Sequence, residues 1–447
     1  MPPQLALALC VVFVLLLLAI ERRTSREVSA AVWIPTIWML MIASRPLAIW
    51  FGIVPSHVVE YGGNESGSPL DRWTLTVLDI LAITIFVRRQ SDWLGTLRRH
   101  KWLVALLAYM FVSTFWSDLT LVALRRWVRE SIALTMALYL MSERNPRQAL
   151  ASVLRRSAYI LLPFSIVLIK YYPILGRSYG KWSGTEMWTG VTGQKNLLGR
   201  LCMISAFFLL WEVYRRWWRP SRVGADRYQM LSDVSVILIA LYLLIRSRSD
   251  TSTVTLVVGI AFYLGLLLFR RLKFTIPKLG MSLMVIALMV FGTATPFVGG
   301  ATVVSFTSAL GRDTTLTGRT QVWADILPAR AQRPLFGYGL GSFWTDERRA
   351  FYDIPTAHNG YLDVLLELGE TGLAIYGIWL LSFVRQMRRA MTGDWEWASL
   401  AICFLIMGLL YNISESALNT FTEQMTVVPL LASFVVFGER IQGGGLS

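Results

Sequence analysis

Cysteine and histidine are nearly missing from this chain: 447 residues hold three of each. Cys10, Cys202 and Cys403 lie far apart within apolar runs, which excludes both a disulfide framework and a site built on paired cysteines. Zinc-finger spacing and a basic arm are lacking too, so the formal net charge of +15 is not that of a nucleic-acid reader. Polar linkers and a separate soluble domain are also missing. Charged residues make up 16% of the chain against 55% hydrophobic, and the mean hydropathy is +0.51. The apolar runs do not alternate with the period of two that a membrane barrel needs. A bilayer core about 30 Å thick asks for helices of about 20 apolar residues. The first run, 5–20, has no basic stretch before it and is followed by ERRTSRE, not by small residues; it reads as a retained anchor, not a cleaved leader.

What is present is a long series of such runs. They predict an all-α polytopic membrane protein of about 12–13 transmembrane helices, at 5–20, 31–51, 73–87, 102–116, 119–141, 158–172, 197–214, 231–245, 253–269, 279–297, 361–384, 397–411 and 426–437. The whole chain, 1–447, reads as one membrane domain with one long extramembrane loop at about 299–358. Basic clusters follow every odd-numbered span up to the eleventh, among them Arg22/Arg23, Arg98/Arg99, Arg155/Arg156, Arg215/Arg216, Arg270/Arg271 and Arg388/Arg389. By the positive-inside rule these ends are cytoplasmic. The N-terminus and the long loop then lie outside, in the periplasm of a Gram-negative cell.

Several cations do not obey that rule, and all map to the outer half: Arg125, Arg126, Arg129, Lys170, Lys195, Arg200, Arg246, Arg248, Arg312 and Arg319. An arginine within a membrane helix costs about 2.5–3.5 kcal/mol on insertion scales. Arg125 and Arg129 share a helical face, while Arg126 and Glu130 can pair on the next one. Ion pairing with Glu130, Asp363, Glu367, Glu370 and Glu415 is the plain reading. The excess of outer cations favours an anion site instead, and the planar fork of arginine suits phosphate. In GVTGQKNLLGR, 190–200, a glycine-rich turn opens a helix at Lys195, where backbone N–H groups favour an anion. The turn RSRSDTS, 246–252, could converge two arginines. His358 precedes Asn359, a good N-cap. A neutral histidine there can accept a proton, although a histidine bonded to a loop carbonyl fits as well. Asp363, Glu367 and Glu370 are expected to pair with arginines, and Trp323, Ile326 and Leu327 suit a helix lying on the membrane surface.

TGRTQVW (317–323), RPLFGYGLGSFW (333–344) and AHNGYLDVLLELGETG (357–372) resemble the signature region of the O-antigen ligase and O-antigen polymerase superfamily, about 231–384 here. STFWSD (113–118), TGQKNLLG (192–199), RSRSDTS and NISES (412–416) resemble that family's pattern as well, and QKN looks closer to its exopolysaccharide-polymerase branch. The resemblance implies a C-type glycosyltransferase fold in the inner membrane with a periplasmic active site. It implies an undecaprenyl diphosphate-linked oligosaccharide donor, a glycan or lipid-A-core acceptor, and neither metal nor nucleotide cofactor. Membrane lipid and polysaccharide assembly machinery are the expected partners; nucleic acid is not. His358 would position or deprotonate the acceptor hydroxyl. Arg319 and either Arg246 or Arg248 would hold the diphosphate, and topology adds Arg125, Arg129, Lys195 and Arg312 to them. Asn359, Asn196, Tyr361 and Glu415 are expected to support the site. A transporter of lipid-linked glycans and a structural assembly partner are the competing readings.

Overall fold

A computed structural model describes residues 1–53, 68–89, 91–179, 184–218, 225–273, 279–298 and 315–443; Arg312 and residues 299–314 of the expected loop lie outside the described residues. Among these, six helices are long and apolar enough to cross a membrane: Pro3–Thr24, Pro146–Tyr171, Lys195–Trp218, Arg227–Ser247, Asp250–Arg271 and Gly360–Ala390. Five shorter apolar helices join them, at Ala30–Ile42, Lys101–Trp116, Gly280–Ala294, Trp395–Tyr411 and Gln424–Gly438. Two more, Pro69–Arg88 and Thr120–Met141, carry charges among their apolar residues. Each apolar run of the sequence thus falls on a helix, and the chain is an all-α polytopic membrane protein. The only sheet among the described residues is a hairpin in which Arg177–Tyr179 pairs antiparallel with Glu186–Trp188. The first helix exposes Leu5, Leu9, Val12, Leu15 and Leu16, a stripe suited to lipid. Trp395–Tyr411 is buried almost throughout and lies at the centre.

Two spans differ from the sequence reading. The run 31–51 is broken: its main helix ends at Ile42, and Leu47–Trp50 restarts after Pro46. Proline cannot supply the N–H that a continuous helix needs. In the break Arg45 turns inward, to the carbonyl of Leu175 and to Thr189 Oγ1 at 3.2 Å. The run 158–172 belongs to a helix that begins at Pro146, with Asn145 accepting from Gln148 N at 3.2 Å as its cap. Its early turns carry Arg155 and Arg156, which the sequence assigns to a basic loop. Both are buried because acids meet them. Arg155 pairs with Glu212 at 2.6 Å and Asp233 at 3.0 Å, and Arg156 with Glu21 at 2.9 Å. Removing one partner from such a pair costs about 3–5 kcal/mol. Arg147–Asp394, 2.8 Å, and Arg89–Glu143, 2.7 Å, lie at the same end. The ends of the odd-numbered spans are thereby tied together.

At the other end, the Gly360–Ala390 helix is interrupted. Gly369 has φ 68 and ψ −169, a region essentially open to glycine alone. Backbone groups freed by a break at membrane depth must find partners within the protein. Residues 334–339 supply them: Tyr338 N and Gly339 N donate to Leu366 O and Glu367 O, at 2.9 and 2.8 Å. Glu370 N and Thr371 N donate to Pro334 O and Leu335 O, at 2.9 and 3.1 Å. Tyr109 Oη donates to Leu368 O at 2.8 Å. The glycine-rich turn is therefore laced into the break.

Above it, the Thr315–Gln332 helix and the short Asp346–Tyr352 helix fold over a small core of Trp323, Ile326, Tyr338, Phe343, Trp344 and Leu362. This corrects the surface-helix expectation. Trp323 and Ile326 are fully buried, and Trp323 Nε1 donates to Ala357 O at 2.8 Å, so the apolar face of that helix meets protein and not lipid. The lacing yields a test: a Cβ at Gly369 would run into the Leu335 carbonyl. Gly369→Ala should destabilise the protein by about 1–3 kcal/mol, read as a lower unfolding temperature in detergent than that of a Gly265→Ala control, whose Cβ would meet open space.

Candidate functional site

Glu415 collects polar groups from three other segments. It sits in the turn after Trp395–Tyr411 and is 7% exposed. Its Oε1 accepts from Arg319 Nη2 of the Thr315–Gln332 helix and from Asn196 Nδ2 at the start of Lys195–Trp218, each at 2.8 Å. Its Oε2 faces His358 Nδ1 at 3.7 Å, near enough for attraction but too far for a direct hydrogen bond. Burial pushes the Glu415 carboxyl up, but the facing His358 and the charge of Arg319 outweigh it and hold the group below its ordinary value.

The backbone around this point is fixed just as closely. His358 adopts φ 50, uncommon for a residue with a Cβ. Asn359 caps the next helix, accepting from Leu362 N at 2.8 Å, and its amide donates to Gly292 O and Ile413 O at 3.1 and 3.0 Å. Gly360 N reaches the carbonyls of Asn412 and Glu415 at 2.9 and 3.0 Å. Asp363 pairs with no arginine among the described residues, contrary to what the sequence suggested. Its Oδ1 instead accepts from Trp344 Nε1 at 2.8 Å and Ala357 N at 3.2 Å, which sets the loop that delivers His358. Thr251 and Ser414 hydroxyls lie 2.9 Å apart, joining the RSRSDTS turn to the NISES turn.

His358, Arg319, Asn196 and Glu415 thus come together, and Asn359 frames them. Lys195 opens its helix half-buried, one residue before Asn196. Arg248 is exposed at the RSRSDTS turn with φ 51, while Arg246 lies over the Trp188 ring at 4.5 Å. Tyr361 is elsewhere: it points into the bundle, fully buried, and donates to Leu409 O at 2.9 Å. Arg200 is buried and pairs with Glu423.

Arg125 and Arg129 line a separate cavity of about 540 Å³ beside this cluster. The cavity touches the cluster at Thr356, two residues before His358, and at Ser416, one after Glu415. The expected Arg126–Glu130 pair does not form. Glu130 instead accepts from Thr420 Oγ1 at 2.7 Å and from Phe421 N, and Arg126 faces Glu367. Gly341 lets this happen, since a Cβ there would strike the Arg126 side chain. Arg72 and Arg349 also line the cavity. The sequence reading passed over both: each lies near the end of a helix, where a charge is ordinary. Only the packing of the loop onto the bundle brings them to one wall.

A polytopic helical bundle thus gathers a histidine from the loop before its broken helix and an arginine from the Thr315–Gln332 helix around one acid. Residues 235–377 match the family model described as O-antigen ligase. The chain is 27% identical over 321 residues to the exopolysaccharide production protein ExoQ of Rhizobium meliloti (strain 1021), covering 67% of this chain and 68% of that one. Both matches support an O-antigen ligase or polysaccharide polymerase-like relationship for this chain, carried by residues 235–377 and by the 321 aligned residues.

Glu415→Gln tests the hub. Arg319, 20% exposed, would lose its charged partner, and stability should fall by about 1–3 kcal/mol at neutral pH. A folded-state value held below the unfolded one adds stability above the unfolded value, and that stability is lost as pH falls through the folded value. The gap between wild type and variant should therefore close in acid; a gap that stays constant into acid would remove Glu415 from the argument.

Proposed function

We propose that this protein transfers a glycan from an undecaprenyl diphosphate carrier to a sugar hydroxyl at the periplasmic face of the inner membrane. The convergence of His358, Arg319 and Asn196 on Glu415 carries this reading. With Nδ1 turned to Glu415, the other ring nitrogen of His358 is left for the acceptor. The hydroxyl oxygen attacks the anomeric carbon, the bond from that carbon to the diphosphate oxygen breaks, and the diphosphate leaves with the electron pair. The hydroxyl proton passes to His358 or to the departing diphosphate. A single direct displacement of this kind inverts the anomeric centre.

Negative charge grows on the leaving group, and stabilising it is the largest electrostatic task. Glu415 holds one nitrogen of Arg319 and leaves the rest of its fork to donate to phosphate. Lys195 and the exposed Arg248 flank the same corner, and Arg246 and Arg312 are assigned to the same donor diphosphate. Arginines take the part that a divalent cation plays in other phosphate chemistry, so the reaction is metal-independent. Glu415 orients the histidine, and Asn359 fixes the backbone that carries it.

The test uses purified full-length protein in proteoliposomes with a lipid-diphosphate oligosaccharide. Covalent lengthening of a glycan supports transfer, whereas mere appearance of donor in the opposite leaflet supports a transporter. His358→Ala should lower kcat by about 10²–10⁴-fold with a smaller change in the donor KM, and chelator should leave turnover intact. Undiminished turnover in His358→Ala, or strict dependence on a divalent metal, would overturn this scheme.

A further inference from the structure

Five guanidinium groups meet in the cavity beside the Glu415 cluster: Arg72, Arg125, Arg126, Arg129 and Arg349. They come from three separate segments, the Pro69–Arg88 and Thr120–Met141 helices and the outer loop. Two of them are matched locally: Arg126 faces Glu367, and Arg349 reaches Asp346 at 3.4 Å. The cavity's other acids are largely occupied. Glu423 pairs with Arg200, and Glu130 is held by Thr420 and Phe421 N, with Arg129 no nearer than 4.0 Å. Arg72 and Arg125 have no carboxylate partner among the described residues. Arg129 is half exposed, at 51%, and Arg72 and Arg125 are exposed too. A wall with this surplus of positive charge, reached by water and spacious enough for a small ligand at about 300–1,000 Å³, is suited to an anion.

We propose that this cavity is a second anion site, distinct from the one at Arg319, and that it takes the acidic group of the acceptor glycan. The inference rests on the transfer reading and assigns the acceptor of that same reaction. Its geometry supplies the reason. Thr356 and Ser416 line the cavity and lie two residues before His358 and one after Glu415, so an acceptor whose anionic group is gripped by Arg72, Arg125 and Arg129 is held close to His358. Two anion sites side by side let the donor diphosphate and a charged acceptor occupy the protein together without repelling each other. The anionic group can be a diphosphate at the acceptor's reducing end or a carboxylate on an acidic sugar; both are recognised by the same paired N–H donors.

Two measurements test this. The first is binding of inorganic pyrophosphate to the purified full-length protein, which does not need turnover. Two binding steps are expected, one lost in Arg319→Gln and the other in the double variant Arg125→Gln/Arg129→Gln. The second is transfer with donor and acceptor varied independently. Arg125→Gln/Arg129→Gln should raise the KM for a lipid-diphosphate acceptor by about tenfold and leave the donor KM where it was. A neutral alkyl-glycoside acceptor should not sense the change. A uronic-acid glycoside without phosphate distinguishes the two sources: sensitivity there assigns the site to a sugar carboxylate, insensitivity to the diphosphate. A rise in the donor KM alone would place the donor in this cavity and overturn the proposal. So would an effect that appears only in vesicles rich in anionic lipid, which would mark a headgroup site. Loss of all transfer in wild type, with both pyrophosphate steps intact, would refute the transfer reading while leaving two anion sites standing.

Discussion

Burying a carboxylate near the end of a membrane bundle is costly unless its charge is answered, and Glu415 is answered from several directions at once. Arg319 arrives on the Thr315–Gln332 helix, Asn196 on the helix after the glycine-rich turn, and His358 on the loop before the broken helix. None of these segments is near another in sequence. Each gains a hydrogen bond or a charge partner only when all are docked. The hub therefore couples the placement of the loop to the placement of the bundle, and the site exists only in the fully assembled fold.

The same logic holds for the backbone. An interrupted helix leaves carbonyl and N–H groups that lipid cannot satisfy. Here the loop segment 334–339 satisfies them, hydrogen-bonding to residues 366–371 on both sides of Gly369. In return, the break gives the loop a fixed seat. Above that seat Asp363 takes the Trp344 indole and the Ala357 amide, which sets the backbone just before His358. A polar residue on a membrane helix is thus used to build a surface, and the small core around Trp323 and Phe343 closes over it.

Much of this was legible in the sequence. Apolar length fixes helices well, because the bilayer demands intrachain hydrogen bonds; every run fell on helix, although 31–51 is broken before Pro46. The motifs carrying His358, Arg319, Asn196 and Glu415, which the structure brings to one point, were visible too, since a histidine before an N-cap stands out in a chain with three histidines. Partnerships were less legible. Arg126 was matched to Glu130 because both lie on one helix, yet a glycine 215 residues later, Gly341, packs against Arg126 instead. Tyr361 sits two residues from Asn359 but faces the opposite way, into the bundle. Arg155 and Arg156 looked like loop charges because their acids lie on other helices. In each case the deciding contact was tertiary, and one-dimensional spacing does not encode it.

The buried pair of Glu21 and Arg156 has a consequence for how the chain is made. Glu21 ends the first helix, and its guanidinium partner lies 135 residues further on. While the ribosome is still adding the intervening helices, that acid has no mate. The opening helix can enter the bilayer early, but the end carrying Glu21 meets Arg156 only after the sixth apolar run has emerged. The first segment to be synthesised therefore gains this charge partner only once a much later helix is in place.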